Sequence, residues 1–182
     1  MGDRYRADAT LAGVGTYGAP DLAFLAGIGP ENLEEFGAAL RGEADVRAWL
    51  VANAAQFATV GGADIADAFG GLVPQIDKEI LRGGFADDMA TEMRRALAYG
   101  FDGWIDDDLA FMKACGCDIA SLRVPVTIWQ GDMDLMVPSS HGTWLAEHIP
   151  TAVAKPACGH GHISLVTTYR DAIVRDLVQR CT

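Results

Sequence analysis

Positive charge is scarce in this sequence. It has 14 Lys and Arg against 25 Asp and Glu, a formal net charge of −11 over 182 residues. A surface of that sign repels nucleic acid phosphates and anionic headgroups, which argues against nucleic acid and membrane partners. No run reaches the roughly 18 apolar residues that a bilayer span needs. The segment Met1–Asp8 is polar and charged and lacks the apolar centre of a secretory signal, so a cytoplasmic location is expected. Cysteine is sparse as well: Cys115, Cys117, Cys158 and Cys181 are too few for a disulfide framework and are expected to be reduced thiols. The C-x-C spacing of Cys115 and Cys117 is tighter than that of structural zinc pairs, and no metal and no cofactor is expected. There is no internal repeat at solenoid spacing.

What is present fits one globular domain: half of the residues are hydrophobic and 21% are charged. Three zones differ in texture. Residues 1–20 hold a short apolar run, Ala7 to Val14, closed by Gly15 to Pro20, which fits a buried strand and turn. Residues 21–121 read as a string of short helices with glycine breaks. The spacing places Leu33, Phe36, Gly37 and Leu40 on one face of a helix over 31–40 that stops at Gly42. A second helix over 43–59 aligns Val46, Trp49, Leu50, Asn53 and Phe57. Pro74 suits the first turn of a third over 75–81, and further helices are expected over 87–99 and 102–113. The aromatics Trp49, Phe57, Trp104 and Phe111 are candidates to line a substrate pocket, though at this spacing most of them are expected in the core. The acidic run Asp106-Asp107-Asp108 is expected near a helix start, where carboxylates favour the macrodipole.

Residues 122–182 change character. Val124 to Gln130 is β-branched and apolar, a strand signal. The loop Gly131 to Pro138 follows, and Ser139 or Ser140 is expected to cap a helix through about His148. Ala152 to Pro156 forms a weaker strand, Cys158 to His162 a second loop, and Ser164 to Arg180 a closing helix. Strand, helix, strand, helix predicts an α/β class with parallel strands. In such sheets the reactive groups lie on loops past the C-terminal strand ends. Asp134 and His162 sit on two such loops, 28 positions apart. A carboxylate that orients an imidazole is the supporting half of a nucleophile–His–acid system.

Gly131-Asp132-Met133-Asp134-Leu135-Met136-Val137-Pro138 resembles the acid loop of α/β-hydrolases, which follows the seventh sheet strand and carries its acid three residues after the glycine. Gly159-His160-Gly161-His162 resembles that family's histidine loop after the eighth strand. The resemblance implies a partial α/β-hydrolase fold of three parallel strands with flanking helices, Ala7 to Gly13 as the sixth strand, and residues 21–121 as a helical cap. It implies a small-molecule substrate with an ester or related acyl bond, with Asp134 as the triad acid and His162 as the base. Asp132 is the fallback acid, and more in keeping with bonding to loop amides; His160 rivals His162. His141 and His148 are expected to be structural. The family's nucleophile elbow has the form G-x-S-x-G, and no such pentapeptide occurs in the sequence. The chain alone is therefore expected to be inactive or nearly so.

Ser139, Ser140 and Ser164 fit helix caps better than nucleophiles, and Cys158 shares the short loop of the histidine, where attack geometry is poor. Two alternatives stay open: a non-catalytic remnant acting as an interaction module, and a self-sufficient enzyme using Cys158 or a serine. In the resembling fold the sixth strand pairs with a fifth. Its exposed edge is expected to take a second copy through Ala7 to Leu11, or a complementing N-terminal half, and Thr10→Lys is expected to break such a homodimer.

Overall fold

A computed structural model describes residues 5–181; Met1–Arg4 of the polar N-terminal segment, and Thr182, lie outside the described residues. The architecture is α/β. Three strands, β1 (Asp8–Leu11), β2 (Val126–Gly131) and β3 (Ala152–Ala157), form one parallel sheet in the order β1-β2-β3. Every residue of β2 is buried. Its composition explains why: β-branched and aromatic side chains stand on both faces of a central strand, and both faces are covered.

The two-residue period of the pleat separates two cores. Val126 and Ile128 face the helices of the N-terminal two thirds together with Trp144 and Leu145 of a helix over Ser139–His148. Trp129 faces the other way, onto Leu165 and Ile173 of the closing helix over His162–Arg180, with Ala12 and Ala157 alongside. The outer edges of β1 and β3 pair with no other strand among the described residues.

Six α-helices lie between β1 and β2: α1 (Pro30–Arg41), α2 (Glu43–Asn53), α3 (Ile65–Ala68), α4 (Gln75–Ile80), α5 (Gly83–Ala96) and α6 (Asp102–Phe111). The helices flanking β3 are α7 (Ser139–His148) and α8 (His162–Arg180). Gly42, at φ +123°, ends α1 and starts α2 in a conformation that an L side chain resists. The α1 face differs from expectation. Leu33 and Leu40 are nearly half exposed, while Glu35, Ala38 and Ala39 are buried. Small residues let α1 approach α2 and α6 closely, and large side chains could not occupy that contact. α2 stops at Asn53, earlier than the periodicity suggests, and Phe57 follows on a 3-10 turn over Ala55–Ala58.

The acidic run is also placed differently. Because α6 begins at Asp102, Asp106–Asp108 fall in its second turn, and Asp108 points inward and is buried. A side chain a full turn into a helix follows the face its neighbours impose, not the terminal dipole. Ser139 and Ser140 do not cap α7: Pro138 occupies the N-cap position and the serines begin the helix itself. The expectation of four reduced thiols fails for one pair. Cys115 and Cys117 form a disulfide across Gly116, whose φ of +65° folds the segment tightly enough to bring the sulfurs together. Cys158 and Cys181 are free. Among the described residues no helix is long and apolar enough to cross a membrane.

Candidate active site

Parallel pairing of β2 and β3 sets Gly131 beside Ala157, so the loops that follow leave the sheet together. They are stitched at several points. Met133 donates its amide to the His160 carbonyl at 2.9 Å, and Gly159 donates to Asp132 Oδ1 at 2.7 Å. Asp132 therefore holds loop backbone, as its position suggests. Gly131 is obligatory here, because a Cβ would run into the His160 carbonyl oxygen.

On this scaffold Asp134 and His162 meet. His162 Nδ1 lies 2.9 Å from Asp134 Oδ2, and the Asp134 side chain is fully shielded from solvent. The other carboxylate oxygen, Oδ1, accepts the amides of Met136 and Val137, each at 2.9 Å. Gln130, the last polar residue of β2, donates Nε2 to the Val137 carbonyl at 2.7 Å and reaches Oδ2 at 3.4 Å. The acid is thus fixed on both oxygens before it touches the ring. With Nδ1–H donated to Asp134, the free ring nitrogen is Nε2; it takes no hydrogen bond among the described residues, and about a third of the side chain (34%) is open to solvent. Burial opposes charge on the ring. The hydrogen bond and charge of Asp134, with the charge of Asp77 behind it, outweigh burial and hold the imidazole above its ordinary titration range.

His162 is the first residue of α8, and a residue that the sequence gives no reason to single out secures that helix start. Asp77, from α4, is completely buried. It accepts the amide of Ile163 on Oδ2 at 3.0 Å and that of Ser164 on Oδ1 at 2.9 Å. It therefore supplies the N-terminal cap from 86 positions away. Ser164 completes the cap by accepting the Gly161 amide on Oγ at 2.8 Å. Gly161 leaves room for this arrangement: a Cβ would come within 2.5 Å of Asp77 Oδ2 and 2.6 Å of Pro74.

The rival histidines have other work. His160 makes an edge-on contact with Tyr169, and its Nδ1 is buried without a partner. His141 is buried between Gly15, whose amide it accepts at 3.1 Å, and the Phe24 carbonyl, to which Nε2 donates at 2.9 Å. Burial lowers its titration, and it ties the β1 loop to α7. His148 stacks on Trp144 and bridges the Trp144 carbonyl and Asp21. Cys158 is exposed. Among the described residues no hydroxyl or thiol is hydrogen-bonded to His162.

The helical region holds a separate cavity of about 610 Å³, which His162 does not line. Trp49, Phe57, Trp104 and Phe111, expected mostly as core, all stand in its wall. So do Glu35 and Asp108, two buried acids that helical periodicity alone could not flag. Neither a family model nor a curated protein sequence matches the chain.

Proposed function

We propose that Asp134 and His162 form the acid–base half of an acyl-transfer site acting on an ester or related bond. The observation that carries this reading is the 2.9 Å contact of His162 Nδ1 with a carboxylate whose other oxygen is locked by two backbone amides, with Nε2 left free. Nε2 takes the proton of a hydroxyl nucleophile as that oxygen attacks the acyl carbon. The imidazolium is stabilised by Asp134 and then returns the proton to the departing alkoxide. The resemblance of both loops to those of α/β-hydrolases supports the same assignment. In that arrangement the nucleophile comes from a strand-to-helix elbow outside this sequence, and the open edge of β1 is where its strand would add.

The test supplies the nucleophile in solution. p-Nitrophenyl butyrate is incubated with the protein in aqueous trifluoroethanol, and transesterification is followed alongside hydrolysis. The chain without alcohol is expected to stay near background. Alcohol-dependent transfer is expected to fall at least tenfold in Asp134→Asn and to the uncatalysed rate in His162→Ala. Transfer that is equal in the unmodified protein and His162→Ala would sink the proposal.

A further inference from the structure

The cavity of the helical region has walls of unusual chemistry. Its titratable lining groups are all carboxyls, Glu31, Glu34, Glu35, Asp67 and Asp108, and no Lys, Arg or His lines it. Six aromatic rings share the wall, among them Trp49, Phe57 and Trp104, the last two with ring centroids 6.1 Å apart. Buried acids on an aromatic surface with no basic side chain beside them are a costly arrangement.

The cost is visible in individual atoms. Asp108 is only 3% exposed; its carboxyl shares a hydrogen bond with Glu35, and its Oδ2 has no other partner. Glu31 Oε2 and Trp49 Nε1, also in the wall, are buried and unpartnered too. Glu31 Oε1 is occupied by the Gly71 amide at 2.7 Å, and Glu35 Oε1 by Trp104 Nε1 at 2.5 Å. Buried polar atoms are nearly always paired in a folded protein, so two unpaired carboxyl oxygens in one cavity wall, on Glu31 and Asp108, mark a place for a positive partner.

We infer that this cavity binds an organic cation, an amine or quaternary ammonium carrying an apolar body. The carboxyls supply charge and the ring faces of Trp and Phe supply cation–π contact, while the apolar wall takes the body. A volume near 610 Å³ suits a small molecule and not a bare metal ion. Burial raises Asp108 to about 8, with the neighbouring Glu35 and Asp107 adding to the rise, and it raises Glu35 in the same direction. These carboxyls therefore hold protons that an arriving cation would displace. Neither Asp134 nor His162 lines this cavity, which meets the acid loop only at Met136.

Calorimetric titration tests it with phenyltrimethylammonium and its neutral isostere tert-butylbenzene. The cation is expected to bind at least tenfold more tightly than the isostere, and to quench tryptophan fluorescence from Trp49 and Trp104. Binding at pH 7, repeated in buffers of different ionisation enthalpy, is expected to release protons. The double variant Glu35→Gln/Asp108→Asn is expected to lose that preference while His162→Ala keeps it. Equal affinity for the two probes, or cation binding without proton release, would overturn the inference, as would no cation binding at millimolar concentration. The last three readings need only the unmodified protein and stand even if the double variant does not fold.

Discussion

Asp134 and Asp108 are almost equally buried, at 4% and 3% exposure, yet their surroundings are opposite. Asp134 receives two backbone amides, the His162 ring and a distant Gln130 amide. Asp77 is likewise met by two amides at the start of α8. Asp108 shares a hydrogen bond with another acid, Glu35, and its Oδ2 meets no other donor. Burial alone thus does not decide what a carboxyl does to a fold. The number of donors directed at it does. In the sheet half, loops and helix ends turn their amides toward the acids. In the helical half, acids project from the sides of α1 and α6, where backbone amides are already spent within the helices.

Substitution can break this comparison, and the largest effect is expected at Asp77. Asp77→Ala leaves the Ile163 and Ser164 amides unpaired in a buried position. It should destabilise the protein by about 2–4 kcal/mol, read from urea denaturation. If Asp77→Ala unfolds at the same urea concentration as the unmodified protein, buried donors around Asp77 are not what holds α8.

The next effect has the opposite sign. The Asp108 carboxyl keeps its proton in the folded state up to about pH 8, while the unfolded chain releases it near 3.8. The folded state binds more protons across that window, so this group's share of stability falls as pH rises from about 4 to 8. Asp108→Asn should remove that fall, adding on the order of 2 kcal/mol at pH 7 and little at pH 4. Thermal melts at both pH values check it; a variant that melts lower at pH 7 contradicts the contrast. A gain in stability accompanied by loss of cation binding would join the two halves of the account, since ligand sites commonly carry such unsatisfied groups.

Asp134→Asn sharpens the other side. If the amide oxygen keeps the Met136 and Val137 amides, its NH2 faces His162 Nδ1 and forces the proton onto Nε2. Stability should drop by about 1 kcal/mol. The His162 titration, followed by the ring carbon-bound proton in NMR, should move downward, because the carboxylate that raises it is gone. An unmoved titration would mean that Asp134 does not set the ring's charge.

The smallest effect concerns His162 itself. Its folded value is raised above the unfolded one near 6.5. The pairing with Asp134 therefore contributes stability that is full below the unfolded value and lost as pH rises through the folded value. His162→Gln should flatten stability between neutral and mildly acidic pH, where the unmodified protein gains on acidification. The proposed general base works in its neutral form, so the proposal predicts alcohol-dependent acyl transfer that rises with pH through that raised value.

The strands around Ala9 and Ile128, the parallel α/β order, and the two loops that carry Asp134 and His162 were legible in the chain's local pattern. These follow from local periodicity, turn residues and chain order, which act over a few residues. The glycine before His162 and the helix after it are local features of the same kind. Which face of α1 is buried came from the packing of the folded chain, since Ala38 and Ala39 pack where Leu33 and Leu40 do not. The tertiary structure brought Asp77 to the start of α8 across 86 positions, closed Cys115 onto Cys117, and set Asp108 against Glu35 in the wall of a cavity. An acid on a helix reads the same in sequence whether it faces water or another acid. The difference lies in which neighbours the packing of separate helices brings within a few ångströms, and in whether those neighbours have a proton to give.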